Sequence, residues 1–441
     1  MLRNWRSVFI RNNVCPLSYQ KRNFLTNDYK CSEAWNNMNS STVFNKINIQ
    51  DFYNVLDQNY ASKGVISAID VDMFANAIKD PSNLEELKDL LHKLRTTAET
   101  GNILESTHHA TIRNFIEFGD VKELVEILKD PLNFGVFLDS YTANILLDKL
   151  ITLSNFELAA RVASLIMLQE ECDNYITHTL CQYACYKYIT NYTPPPAPEP
   201  SPEKNKKVEE IKIRVKYLRN PYFDDHFDIK DTLTLSGKTL AWISGRAADN
   251  LNNNLQIIGW LVYKKYDTLL AFCEQISKNS SFKVYSEVLE LLNKENTNAE
   301  GDSKQILENC ISVLTKDEQT PKDITIEESL KTAIENAINK SQKNDISSQE
   351  QLFKSWAKIR EEKLEEQARR LDRAKRIQLI EQKQNEMKNR EQKLWFFDNE
   401  DKIDLEIEEK DKLVDKSTSK KTATKTSDEN YIPPEILPKR K

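Results

Sequence analysis

The sequence predicts an all-α protein built as a short solenoid of helical hairpins, further helical hairpins and a long charged helix near the C-terminus. Three observations carry this reading. Only 8 Gly and 14 Pro serve 441 residues, too few turn formers for a many-stranded sheet. Thr107-His108-His109, Thr142-Ala143-Asn144 and Thr177-His178-Thr179 follow one another at a constant step of 35 residues, as stacked supersecondary units do. From about Ser348 to Phe397 there is neither Gly nor Pro. With 39% hydrophobic and 29% charged residues the chain is large enough for one to three folded cores. It holds no run near the roughly 18 apolar residues of a membrane helix, so no membrane insertion is expected.

The first residues carry Arg3, Arg6, Arg11, Lys21 and Arg22 and no acid before Asp28, interleaved with Leu2, Trp5, Val8 and Phe9. A basic face beside an apolar one, without the continuous apolar centre of a secretory signal, predicts a mitochondrial transit peptide over residues 1–24 and a matrix destination. Arg22-Asn23-Phe24 before Leu25 looks like the processing site; a plain basic, disordered start is the alternative.

Residues 25–192 are expected to hold the helical repeats. Gly119-Asp120-Val121 lies in phase with Ser154-Asn155-Phe156, so each unit reads as two helices joined by a short turn, with Ile112 and Phe115 or Leu147 and Leu150 in the first. Val121, Leu124, Val125 and Leu128 recur at three and four residues in the second. Asn83–Arg95 supplies an upstream second helix, with a weaker first helix near Val71–Ile78, and Asp173–Tyr188 supplies a first helix only. One such pair cannot bury its own apolar faces, so neighbours must stack.

Thr193-Pro194-Pro195-Pro196 through Pro202 and the charged run after it predict an extended linker over 193–207. Residues 208–295 should form two more hairpins: Leu235–Ile243, Leu251–Val262, Asp267–Ser277 and Phe282–Leu292, with Asp267 and Ser281 as caps. Residues 296–346 read as a polar, flexible segment with one or two loose helices. Residues 347–400 read as a single long charged helix, and 401–441 as a lysine-rich disordered tail. Arg360, Lys363, Arg369, Arg370, Arg373, Lys375 and Arg376 make the first half of that helix locally basic. A solvated charged face and a phosphate-facing stripe both fit, the latter naming Arg369, Arg370, Arg373 and Arg376 as RNA-binding candidates.

The overall charge of −6 and pI near 5.7 exclude a general nucleic-acid coat, leaving RNA contact to local patches. Seven scattered cysteines suit free thiols. Leu235-Ser236-Gly237-Lys238-Thr239 imitates the end of a phosphate-binding loop, yet Thr232 stands where the first glycine is required. His178, Cys181 and Cys185 share a helical face without a fourth ligand, which suits core packing. His108-His109 has no accompanying nucleophile pair. The expectation is a non-enzyme with no catalytic, cofactor or metal residues.

The 35-residue step opening on Thr-x-x and the unit ending Phe134-Gly135-Val136-Phe137-Leu138-Asp139 resemble the pentatricopeptide repeat; the tetratricopeptide repeat is the nearest competitor. That resemblance implies that the fifth and last residues of each unit meet RNA bases, here His109 with Asp139 and Asn144 with Asn174. The same residues also suit helix caps and turns. Two or three contacts at roughly 1–3 kcal/mol each cannot select one transcript. Lys21-Arg22 through Trp35, Phe134–Asp139 through Leu146-Leu147-Asp148 to Met167-Leu168-Gln169-Glu170, and Gln351–Trp356 running into the Glu-rich helix resemble the pentatricopeptide-repeat family of the animal mitochondrial small ribosomal subunit, traditionally numbered twenty-seven. The resemblance implies a structural subunit touching small-subunit mitochondrial rRNA and other mitochondrial ribosomal proteins, with tRNA or mRNA contact open. A free pentatricopeptide RNA-maturation factor and a coiled-coil scaffold are the rival readings; the first should carry more repeats, the second a regular heptad.

Overall fold

The computed structural model describes residues 23–40, 43–193, 229–278, 282–315 and 325–421. The segment 1–22, most of the proline-rich linker and the chain after Lys421 lie outside the described residues. All the described secondary structure is helical: α1 Ser32–Asn39, α2 Ile49–Lys63, α3 Ala68–Ala77, α4 Leu84–Arg95, α5 Glu105–Phe118, α6 Val121–Lys129, α7 Ser140–Thr152, α8 Phe156–Leu168, α9 Tyr175–Asn191, α10 Thr232–Ser244, α11 Asn250–Val262, α12 Tyr266–Ile276, α13 Ser286–Asn298, α14 Asp302–Thr315 and α15 Ile326–Lys421. Two compact units divide the chain, Met1–Glu361 and Glu362–Lys441.

In the first unit, successive first helices lie side by side: α3 on α5, α5 on α7, α7 on α9, while α6 packs on α8. Short polar residues start these helices as sequence logic requires. Asp120, Asp139, Asn155, Asn174 and Asp231 each accept backbone N–H groups of the first turn, satisfying donors that a helix end otherwise leaves open. Asp139 and Asn174 are one 35-residue step apart, so the repeat is partly a repeat of caps. The inward faces supply the core: Leu87, Leu90, Leu124, Leu146, Leu147 and Leu180 are at most about 1% exposed, each such burial contributing roughly 1.5–3 kcal/mol.

The stack continues through α10, which packs on α8 and α9, then α11, α12 and α14. The phosphate-loop look-alike is the middle of α10: Ser236 and Thr239 are fully buried and no loop exists there. Its glycine has a packing role. A Cβ on Gly237 would meet Val262 at 2.8 Å, and one on Gly259 would stand 2.5 Å from the backbone nitrogen of Ala241. These two glycines let α10 and α11 touch backbone to backbone. Gly259→Ala is expected to destabilise the fold by about 1–3 kcal/mol, because the helices must separate along the crossing. A shift in the urea midpoint checks it, and an unchanged midpoint would refute the contact.

Some boundaries differ from the sequence expectation. Asp267 sits at the second position of α12, where Lys265 is the cap, and its carboxylate still faces the positive end of the helix. The helix expected from Phe282 begins at Ser286, and Ser281 lies outside the described residues. The segment 296–346, expected to be loose, carries α14 and the start of α15. Leu307, Cys310 and Leu314, then Ile326, Leu330 and Ile334, are buried; their three-to-four spacing is diluted among Lys, Glu and Asn, so the apolar face is narrow but real. The long helix thus starts at Ile326 and runs to Lys421, interrupted at Asn399 by a non-helical φ of −124°.

Candidate nucleic-acid interface

The first 35-residue array presents its first helices to α15 and to the N-terminal segment. Within the first unit, α15 runs past them in reverse chain order. Glu327 accepts from Lys187 of α9 at 3.0 Å. Asp345 accepts from the Asn174 amide at 2.8 Å and the Tyr29 hydroxyl at 3.2 Å. Trp356 donates its indole N–H to Glu105 of α5 at 3.3 Å. Arg360 ends the contact on Asp72 of α3, Nε to Oδ2 2.6 Å.

The repeat residues singled out from sequence lie beneath this cover. His109 is 1% exposed. Its ring is boxed by Trp35, Phe353 and Trp356 at centroid distances of 5.3, 5.4 and 5.2 Å, and its Nδ1 is 3.5 Å from the Asp139 carboxylate. Asn144 is 0% exposed, donates to the Tyr29 hydroxyl at 2.9 Å and accepts from Thr177 at 2.7 Å. Asn174 caps α9 while its amide is held by Asp345. Asp139 keeps part of its side chain at the surface, and Asn174 is half-buried. The structure therefore brings His109 and Asp139 together, and separately ties Asn144 and Asn174 to the Tyr29–Asp345 pair. Side chains of this same chain stand wherever a base edge would approach His109 or Asn144.

The N-terminal cover is fastened at several points. Tyr29 stacks on Tyr141 at 4.7 Å and 14°, and the Tyr141 hydroxyl donates to the Tyr29 carbonyl. Burial pushes the Tyr29 and Tyr141 hydroxyls far above the ordinary phenol range, so both remain donors. Arg113 donates to the Lys30 carbonyl at 2.6 Å and lies over the Trp35 ring at 5.0 Å. Asp148 accepts the backbone N–H of Phe24 at 2.8 Å. Burial raises its carboxyl pKa, and the N–H groups of Phe24 and Leu25 pull the other way without cancelling the rise. A raised folded-state pKa means that the ionised form penalises folding, so this penalty is absent below the unfolded carboxylate pKa and grows as pH rises through the folded one. Asp148→Asn, which keeps an acceptor oxygen, is expected to melt at or above the parent at pH 7. The difference should shrink toward pH 4; a variant less stable at pH 7 than at pH 4, relative to parent, would contradict the sign.

Two residues of this arrangement were not legible as a pair. Asp72 stands one further 35-residue step before Thr107. It accepts from Thr107 at 2.9 Å and from Ser106, so the continued step was the available signal. Arg360, grouped by sequence with the basic stretch, is buried: the Arg360 and Asp72 side chains are 5% and 0% exposed.

The remaining candidates belong to the second unit. Arg369, Arg370, Arg373 and Arg376 are exposed on α15, the first two at 76% and 70% of the side chain. Arg369, Arg373 and Arg376 recur at four and three residues and share one helical face. Glu366 pairs with Arg370 at 2.6 Å and Glu365 lies 3.7 Å from Arg369, the surface pairs expected of i,i+4 spacing. Among the described residues no helix is long and apolar enough to cross a membrane.

Residues 1–386 match the family described as mitochondrial 28S ribosomal protein S27. The match takes in the helical array, its cover and the arginine face. This chain therefore belongs to the mitochondrial 28S ribosomal protein S27 family and is a structural component of the mitochondrial small ribosomal subunit.

Proposed function

We propose that the protein, working in the mitochondrial matrix after loss of a transit peptide, holds rRNA phosphates through Arg369, Arg370, Arg373 and Arg376 and supports mitochondrial translation without catalysing a reaction. The helical array serves as a socket for α15 and as a surface for neighbouring ribosomal proteins rather than as a base reader. The observation that carries this reading is a contrast of exposure. His109 and Asn144 are buried beneath the chain's own Tyr29, Trp35, Phe353 and Trp356, while the four arginines face solvent. Phosphate contact needs no base-specific pocket, only accessible cations on one face.

The deciding experiment is sedimentation of a mitochondrial lysate through a sucrose gradient at moderate salt, following the protein against small-subunit rRNA. Co-migration with the small subunit and with whole ribosomes is the expected result. A position near the top of the gradient, alone or with messenger RNA, would overturn it in favour of a free RNA-maturation factor.

A further inference from the structure

The second unit changes character along its one helix. From Glu362 to Lys393 it carries ten Lys and Arg against seven Asp and Glu, whereas from Asp398 to Asp411 eight acids face two lysines. Between the two stretches stand three consecutive aromatics, Trp395, Phe396 and Phe397, exposed by 61%, 41% and 68%. Leu405 and Ile407 in the acidic stretch are exposed as well, by 62% and 50%. The helix is interrupted immediately after the aromatics, at Asn399, whose amide donates to the Trp395 carbonyl at 3.0 Å. The aromatics and the acidic stretch lie beyond the family match, which ends at residue 386.

A component of a ribosome has two kinds of neighbour, RNA and protein. Eight carboxylates within fourteen residues repel phosphate, so the acidic stretch is unsuited to RNA. Grouped aromatics left in solvent on a soluble helix mark an interaction surface, and Trp and Phe are the residues that anchor protein interfaces, with charges around them setting partner choice. We infer that Trp395–Asp411 docks onto a neighbouring ribosomal protein through a Lys- and Arg-rich surface with an apolar recess for the aromatic triad, while the preceding arginine face meets RNA. The inference rests on membership of the small subunit and on the proposed division of labour along the helix.

The test uses assembled small subunits carrying the full chain, treated with a carbodiimide that couples carboxylates to adjacent amines, and read by mass spectrometry. Coupling of Asp398–Asp411 carboxylates to lysines of one other ribosomal protein is the expected result. It should fall about tenfold or more when Trp395, Phe396 and Phe397 are all changed to Ala, substitutions at exposed positions that leave the fold intact. Coupling only to lysines of this chain or of a second copy, no coupling at all, or ultraviolet cross-linking of the triad to rRNA would each overturn the inference. In any of those cases, continued co-sedimentation with the small subunit leaves the ribosomal reading standing; loss of co-sedimentation by the unmodified chain sinks that reading instead.

Discussion

Arg360→Met should destabilise the first unit by about 3–5 kcal/mol, the range for removing one partner of a buried ion pair. Asp72 is fully enclosed, and without the guanidinium its charge keeps the hydroxyls of Ser106 and Thr107 and the amide of Asn76, three neutral donors and no cation. The loss should be nearly independent of salt, since ions screen a buried pair weakly. Adding Asp72→Asn in the same chain should recover most of it, because the double variant buries no charge while the amide oxygen can still accept from Thr107. Denaturant unfolding of the parent, both single variants and the double variant supplies the full cycle. If Arg360→Met unfolds within about 1 kcal/mol of the parent, the pair is not what seats α15 on the array. A second readout separates seating from general stability: faster amide exchange over residues 345–361 and in α5, where Trp356 covers His109, is expected in the single variant only.

The helices of the array were legible because two signals coincide in them. Apolar residues recur at three and four, and the capping positions Asp139 and Asn174 repeat at the same step as Thr107, Thr142 and Thr177. The close α10–α11 crossing was not legible, since Gly237 and Gly259 look alike to any pattern and only tertiary contact distinguishes a glycine that admits a backbone from one that ends a helix. Nor was the cover. Phe353, Trp356 and Arg360 occur in a stretch whose composition is that of a solvated helix, and three side chains among so many Glu and Lys barely move an apolar average. What buries them is a ready-made groove hundreds of residues away in sequence, with a complementary charge at Asp72. The candidate residues His109 and Asn144 were found by position within a repeat, which says nothing of whether that face stays open.

Changing Arg369, Arg370, Arg373 and Arg376 together to Ala should weaken binding of the full chain to a duplex RNA by roughly two to three orders of magnitude at low salt, if each arginine neutralises one phosphate. The more diagnostic quantity is the salt dependence. Four lost contacts should reduce the slope of log affinity against log salt by about 3–4, at roughly 0.7–0.9 per contact. The glutamates do not prevent this. Exposed i,i+4 pairs such as Arg370 with Glu366 are weak in water, so a phosphate that releases counterions displaces them readily. The substituted positions are exposed on a helix, and alanine favours helix over arginine slightly, so the variant should keep its fold and isolate the charge effect. Changing Lys402 and Lys410 of the acidic stretch and the adjoining Lys412 to Ala gives the control, because carboxylates already dominate there, and its slope should stay near that of the parent. A quartet variant with unchanged slope would mean that the arginines remain solvated in the complex. The proposed rRNA contact would then fall to the first unit, where a cation such as Lys93, 15% exposed, is held by both Asp57 and Asp89.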